Sequence, residues 1–372
     1  MNVRSYIRNV REGPYMKNKP IRLILTYIIG LIGGGIFVIT SLPLPWILGP
    51  LIAILLWKQV SAFPILTSEW LKKISFAITG FQIGGTFTST TIDSVVPYLL
   101  PYTIGTLLLI GISLFNAYLL TKWIPIDVPT SMLGSVPGGL SVIIALSESL
   151  KGNAALVTIF HTIRLMTVLF IIPIAATHFF VGNNTNQDYS SLEAEIVQGP
   201  LWTVILLVII FVVSLLLEKI VPAALVIIPM LTVGTAQIIE FPIYLLPDYF
   251  YLFAQLTIGI YLGTTIFIKD LMKAGKYCGF YFGLTVILIG ISSTFGYLFS
   301  LFSNMDLATA ILSFAPGGLI EMAITAQTVS GDPSIVSSLQ MIRMLIIVLF
   351  LPMVLKLLLP KFEKEESKSN TS

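Results

Sequence analysis

The chain has 372 residues, of which 56% are hydrophobic and only 10% charged. Soluble domains carry about 25% charged residues, so this composition excludes an ordinary soluble globular protein. The apolar runs are about 20 residues long, as in membrane-spanning helices, whereas outer-membrane barrels use alternating strands of about ten residues. The sequence therefore predicts an all-α, polytopic membrane protein that has the lipid bilayer as its main partner.

Twelve apolar segments follow one another along the chain, six in each half. They cover residues 21–40, 43–58, 73–92, 97–121, 130–149 and 154–180, then 200–218, 222–239, 249–268, 277–302, 309–329 and 333–358. A basic head, residues 1–20, indicates an uncleaved signal anchor with its N-terminus inside. We divide the rest into repeat 1 (21–181), an extracytoplasmic linker (182–199), repeat 2 (200–360) and a charged tail (361–372) that we expect to be disordered.

The two halves share a pattern at one constant offset in residue number, without a gap. The matching pairs include Asp127 with Asp306, Thr130 with Thr309, Pro137-Gly138-Gly139-Leu140 with Pro316-Gly317-Gly318-Leu319, Arg164 with Arg343, and Gly80 with Gly259. We call the offset that takes Asp127 to Asp306 the repeat shift. Paired repeats with interrupted helices are typical of secondary transporters.

The positions of lysine and arginine distinguish two arrangements of the repeats, because cytoplasmic loops are enriched in both residues. If the Pro-Gly-Gly segment enters and leaves on one side, the second half is inverted. The loops near residues 41, 93, 190, 244, 304 and 332 are then outside and contain no Lys or Arg. If all segments span, Lys269, Lys273 and Lys276 fall outside. We therefore predict two inverted repeats, each with about five spans and one broken or re-entrant helix, in the cell membrane with both termini cytoplasmic.

Proline and paired glycines lie midway along the fifth segment of each half. Proline lacks an N–H group and clashes with the preceding turn, so we predict helix breaks at Pro137 and Pro316. The freed backbone groups cannot face lipid and must be buried in protein or line a cavity. The helix that restarts after each break then points its positive end at this cavity and can hold an anion. A plain kink with close helix packing is the structural alternative.

Arg164 and Arg343 lie near the middle of the last segment of their half, where an unpaired charge is costly. One helical turn away are His161 and Gln340, which extend a polar stripe. Each arginine pairs either with a carboxylate or with carbonyls of the broken helix, or it faces a central site and holds an anionic group. His161 is either a hydrogen-bonded bundle histidine or a proton relay.

Three acidic residues accompany the predicted breaks. Glu321 is either the counter-ion of Arg343 or a group that couples transport to H⁺ or Na⁺. Asp127 and Asp306 precede the broken segments, and we expect them to cap helices.

Enzyme signals are weak. His161 and His178 are too few and too far apart for a metal site built on the usual ligands, and we predict no cofactor and no catalytic residue. No soluble basic module is present that would bind nucleic acid.

The stretch Leu44-Pro45-Trp46-Ile47-Leu48-Gly49-Pro50, the doubled Pro-Gly-Gly motifs and the arginine helices resemble the AbrB-duplication membrane protein family. The resemblance covers about residues 20 to 360. Members are often labelled AbrB-family transcriptional regulators or ammonia monooxygenases, and the family is grouped with cation/proton-antiporter and bile-acid-symporter-like proteins. The resemblance implies a core site at Pro137–Leu140, Pro316–Leu319, Arg164 and Arg343, and it supplies no substrate.

We therefore expect a secondary transporter of a small anionic metabolite, working by alternating access, with H⁺ or Na⁺ coupling and a homodimer as open alternatives. The expected substrate-binding residues are Arg164, Arg343, Gly138, Gly139, Leu140, Gly317, Gly318, Leu319, His161 and Gln340, with Glu321 as the coupling-ion residue. The alternative is a membrane sensor that regulates gene expression indirectly through a cytosolic partner. A membrane oxygenase is a third hypothesis, which the two histidines support poorly.

Overall fold

A computed structural model describes residues 19–61, 65–136, 143, 147, 150, 152–180, 199–221, 223–268, 272, 274–303 and 305–369. The side chains of Thr90, Phe180, Pro352 and 356–369 are outside this description. Over the described residues the chain forms helices and no strand.

Fourteen α-helices are defined in the described part of the chain. They are α1 (Lys19–Ile39), α2 (Pro45–Val60), α3 (Glu69–Gly85), α4 (Ser89–Val95), α5 (Leu99–Thr121), α6 (Val128–Ser135), α7 (Ala154–Phe180), α8 (Val204–Leu217), α9 (Ala224–Ile238), α10 (Asp248–Thr265), α11 (Lys276–Phe302), α12 (Leu307–Phe314), α13 (Leu319–Thr328) and α14 (Pro333–Ser369). Five helical stretches of the described residues are long and apolar enough to cross a membrane: Lys19–Ile39, Thr91–Thr121, Ala154–Phe179, Lys276–Phe302 and Pro333–Leu355. The second of them joins α4 and α5 through a 3-10 turn at Val96–Tyr98. The prediction of an all-α, polytopic membrane protein is confirmed.

The helix bounds differ from the predicted ones where local chemistry outweighs hydropathy. Helix α3 begins at Glu69 because the Ser68 hydroxyl accepts a hydrogen bond from the Leu71 backbone N–H and caps the helix. Helix α14 runs to Ser369, well past residue 358, since the charged residues after Pro360 are good helix formers.

The described residues fall into two compact units, and each unit takes segments from both halves of the sequence. The first unit contains residues 1–89 and 177–267, and the second contains 90–176 and 268–372. The repeats of the sequence and the compact units of the structure are therefore different divisions of the chain.

In the first unit, α3 packs against α9, and α10 packs against α2. A Cβ atom on Gly80 would lie 2.5 Å from the Val226 carbonyl oxygen, so α3 and α9 are in backbone contact there. A Cβ atom on Gly259 would collide in the same way with the carbonyl oxygen of Ile47. Both glycines and both carbonyls are related by the repeat shift. The contact between α3 and α9 thus recurs between α10 and α2.

Two further features of the first unit lie at the ends of helices α2 and α9. Helices α2 and α9 each begin after a residue in the left-handed region, Leu44 with φ 47° and Ala223 with φ 51°. Such a conformation is unfavourable by about 1–3 kcal/mol for a residue other than glycine, so packing must maintain it. At the other end of α2, Lys58 Nζ donates to the carbonyls of Gly263, Thr264 and Ile266, in and just after the last turn of α10, where carbonyls lack partners within the helix.

The second unit contains the short helices α6 and α12, which pack against α5 and α11 respectively. The Asp127 carboxylate accepts from the Thr130 N–H at 2.9 Å, and the Asp306 carboxylate accepts from the Thr309 N–H at 2.8 Å. The expectation that both aspartates cap helices is confirmed. The two threonine hydroxyls then accept from Asn153 N and Asp332 N, each at 2.7 Å, which ties the start of α7 and of α14 to the caps.

Candidate functional site

The helix in the second half is interrupted where proline and glycine occur. Helix α12 ends at Phe314, residues 315–318 are not helical, and α13 begins at Leu319. Gly318 precedes α13 in an extended conformation and offers no side-chain cap, so the first N–H groups of this ten-residue helix have no side-chain acceptor at its cap position. In the first half, α6 ends at Ser135 and Val136 is extended. The predicted site positions Pro137, Gly138, Gly139 and Leu140 lie outside the described residues.

Buried polar side chains hydrogen-bond the carbonyls at the end of α12. Gln340 Nε2 on α14 lies 2.8 Å from the Leu312 oxygen and 3.2 Å from the Ser313 oxygen. The Tyr102 hydroxyl on α5 also donates to the Ser313 oxygen, at 2.9 Å. The negative end of the broken helix is therefore hydrogen-bonded within the protein and does not need water or lipid.

Arg343 supplies the charged part of this arrangement. Its Nη1 donates to the Ala315 carbonyl, and its Nη2 lies 2.5 Å from the Gly317 carbonyl oxygen. The side chain is buried. The guanidinium thus joins the two sides of the break, because Ala315 follows α12 and Gly317 precedes α13.

Arg164 has the equivalent position on α7. Its Nη1 donates to the Val136 carbonyl, which follows α6, and its Nη2 lies 2.9 Å from His161 Nε2. The Ala315 and Val136 carbonyls are related by the repeat shift, and so are the two arginines. In both halves a guanidinium therefore donates to the carbonyl of the residue that follows the short helix.

The two arginines line one cavity of about 170 Å³. Its other walls come from α7, from the break and from α14: His161, Leu165 and Val168; Pro316, Gly317, Gly318 and Leu319; and Gln340 and Met344. The structure thus brings together all the described residues that we predicted for the substrate site.

These contacts bear on the alternatives for the arginines. Within the described part of the chain, the ion pairs are Lys72 with Glu69 and Lys73 with Glu218, so neither arginine has a carboxylate partner there. The carbonyl alternative describes their observed hydrogen bonds. Anion binding by the arginines stays a prediction, and it requires donors other than those already bonded.

Glu321 lies in the first turn of α13, where its carboxylate folds back over Gly318. No hydrogen bond or ion pair joins it to Arg343 among the described residues. Glu321 is therefore not the counter-ion of Arg343 in this structure. A role of Glu321 in coupling stays a prediction. The described residues contain no group of three or more His, Cys, Asp or Glu that could hold a metal ion.

Tyr102 and Tyr281 are site-supporting residues that the sequence analysis missed. Tyr102 on α5 donates to Ser313 of α12, and Tyr281 on α11 donates to the Ser131 hydroxyl of α6 at 2.8 Å. Each tyrosine therefore supports the broken segment of the other half. The two positions are related by the repeat shift, so the same internal comparison could have identified them.

The fold and the site define a polytopic α-helical membrane protein with a buried, doubly cationic cavity beside an interrupted helix. The chain belongs to the AbrB family: residues 14–359 match the family described as "Transition state regulatory protein AbrB". It is 24% identical to "Uncharacterized protein YhjN" of Bacillus subtilis (strain 168), over 91% of this chain and 94% of that protein. It is 25% identical to "Putative regulator AbrB" of Escherichia coli (strain K12), over 84% of this chain and 89% of that protein. The expected family resemblance is confirmed.

Proposed function

We propose that this protein is a secondary transporter of a small anionic solute, without catalytic activity, in the cell membrane. The observation that carries the proposal is the shared cavity, in which Arg164 of one half and Arg343 of the other lie beside an interrupted helix. Guanidinium groups in a membrane interior are costly, and they usually mark a solute pathway. The start of α13 adds a positive helix end at the same cavity.

We further propose that the two halves are inverted repeats and that the cycle alternates access between them. The paired contacts at the repeat shift support a common design, and the Lys- and Arg-free loops support the inversion. This arrangement places both termini in the cytoplasm.

Proteoliposomes test the transport proposal with radiolabelled lactate, malate and sulfate as probes. Arg164→Lys and Arg343→Lys keep the charge but replace a planar fork by a point charge, so we expect uptake of the transported probe to fall at least about tenfold. Lys73→Ala, in the exposed ion pair of the first unit, is the matched control and should retain uptake. Uptake of all transported probes at wild-type rates by both lysine variants would overturn the proposal.

The second candidate is a membrane sensor that regulates gene expression through a cytosolic partner. The description of the matched family and the name of the Escherichia coli relative favour it. This hypothesis expects deletion of residues 1–18 or of the tail 361–372 to abolish regulation, whereas Arg343→Lys should not affect it. A regulatory phenotype that survives both deletions would exclude it.

A further inference from the structure

We propose that His161 is the proton-coupling residue of this transporter, so that the anionic solute and one proton move together. When a proton binds at Nε2 of His161, Arg164 Nη2 loses its hydrogen bond to His161 and donates to the solute instead. This inference rests on the proposed transport function and deepens it. In the step, a new N–H bond forms at Nε2 with a proton from hydronium of the aqueous phase, which is left as water, and the contact between Nε2 and Arg164 Nη2 breaks.

The contact with Arg164 fixes the tautomer of His161. A guanidinium has only donors, so His161 Nε2, 2.9 Å from Arg164 Nη2, must accept. A neutral imidazole that accepts at Nε2 carries its proton at Nδ1. A protonated His161 would present a second N–H group to the guanidinium, and the present contact would be lost. Proton binding at His161 and the release of Arg164 Nη2 are therefore the same event.

Three buried polar atoms at this site lack partners within the described structure. They are His161 Nδ1, Arg164 Nε and Gln340 Oε1. Their residues are only 7%, 7% and 1% exposed, and all three line the cavity. Buried donors without acceptors are unfavourable, and a ligand that supplies acceptors removes that penalty. The residues that carry these two donors and one acceptor line one cavity, and a small hydroxycarboxylate offers the complementary groups: carboxylate oxygens for the donors and a hydroxyl for Gln340 Oε1.

The charges around the cavity explain why proton and anion bind together. Arg164, on the helix of His161, and Arg343, on α14, line the cavity. Glu321, in the first turn of α13, follows the lining residue Leu319 by two positions. From α11, Tyr281 stacks on Phe160 and donates its hydroxyl to Ser131. An imidazolium beside two guanidiniums is unfavourable until an anion enters, and the anion binds more strongly once the third cation is present. By linkage, each ligand increases the affinity for the other by the same factor.

In the second half of the chain, the position equivalent to His161 is Gln340, which does not titrate. Gln340 Nε2 donates to the carbonyls of Leu312, Ser313 and Ala315, where it helps to hold the end of α12. Glutamine cannot bind a proton in this range, so the two matching positions together carry one proton and not two. His161→Gln therefore installs a side chain that the protein already accommodates at the matching site.

The tautomer is testable without transport. The chain has two histidines, so His178→Asn leaves His161 as the only one. In the full-length variant labelled with ¹⁵N-histidine, we expect the NMR spectrum of the neutral form to show a proton on Nδ1 and none on Nε2. Added lactate should shift the protonation midpoint of His161 upward. A neutral form protonated on Nε2, or a midpoint that no probe anion shifts, would overturn the inference.

Flux measurements provide the second test, with proteoliposomes that contain a pH-sensitive dye. We expect an inward lactate or malate gradient to acidify the lumen, and an inward proton gradient to stimulate wild-type uptake at least about fivefold. His161→Gln should lose both effects, with uptake at or below the rate that the wild type shows without a proton gradient, and His178→Asn should retain both effects. Proton-stimulated uptake by His161→Gln would overturn the role of His161 and leave transport intact, whereas no uptake by any protein would overturn the proposed function and the coupling with it.

Discussion

Arg343 connects two carbonyls on opposite sides of a helix break, and Arg164 makes the equivalent contact with Val136. The end of a helix carries a partial negative charge on its last carbonyls, which in lipid have no water to bind. A guanidinium satisfies several carbonyls at once because its donors form a planar fork. The arginines therefore hold the carbonyls that follow the short helices, and they are also candidate solute ligands.

This double role predicts a stability effect at the residue scale. Arg343→Ala removes the side-chain donor of the partly buried Gly317 carbonyl, whereas the Ala315 carbonyl keeps Gln340 Nε2 and the Gly317 N–H as donors, so we expect the free energy of unfolding to fall by about 1–3 kcal/mol. Arg343→Lys, which keeps a charged donor, should lose about half as much. Denaturant unfolding of the purified protein in detergent measures both.

Lys73→Ala is the control for this prediction, because its ion pair with Glu218 is partly exposed and should contribute about 1 kcal/mol or less. Equal stability losses for Arg343→Ala and Lys73→Ala would show that the carbonyl contacts are unimportant.

At the scale of elements, the reciprocal glycine contacts determine how closely the helices of the first unit approach. Gly80→Ala would place a methyl group against the Val226 carbonyl, and Gly259→Ala would place one against the Ile47 carbonyl. We expect each substitution to destabilise the protein by about 1–3 kcal/mol, as overpacking does. Unfolding in detergent of the two variants should give similar losses, since the contacts are alike.

Gly111→Ala is the matched control, because this glycine lies within α5 and nothing lies within 4 Å of an added Cβ atom. Alanine is the better helix former, so stability should stay the same or rise by up to about 1 kcal/mol. A loss at Gly111 as large as at Gly80 would argue that backbone contact is not the cause.

Local chemistry predicted those features whose cause lies within a few residues. The caps at Asp127 and Asp306 follow from the preference of aspartate for a helix start, and the interruption after Phe314 occurs where proline removes a donor. Carbonyls of the broken helix were one predicted alternative for the arginines, but the particular carbonyls could not be predicted, because the Val136 carbonyl is 28 residues away from Arg164 along the chain. Hydropathy also contains no information on which helices pack together, so the composition of the two compact units was not predicted.

For the whole molecule, the inverted arrangement predicts opposite locations for equivalent loops. Ser41 lies in a loop that we expect outside, and the exposed Ile220 of the matching loop should lie inside. In a Cys278→Ser background, a membrane-impermeant maleimide should label Ser41→Cys in intact cells but label Ile220→Cys only after the membrane is opened.

The same two cysteine variants distinguish inverted halves from parallel halves. Parallel halves would place both cysteines on one side, and equal labelling in intact cells would therefore exclude inversion. Labelling of both positions after permeabilisation shows that each cysteine is accessible to the reagent.

The mixed origin of each compact unit has a consequence for biogenesis. The backbone of Gly80 contacts that of Val226, which belongs to the other half of the chain and is synthesised much later. At about 5–20 residues per second, the α3 surface waits roughly 7–30 seconds for its partner. Neither unit can be completed before the C-terminal half has been inserted, so the nascent N-terminal helices depend on lipid or on an insertase to shield their glycine faces during synthesis.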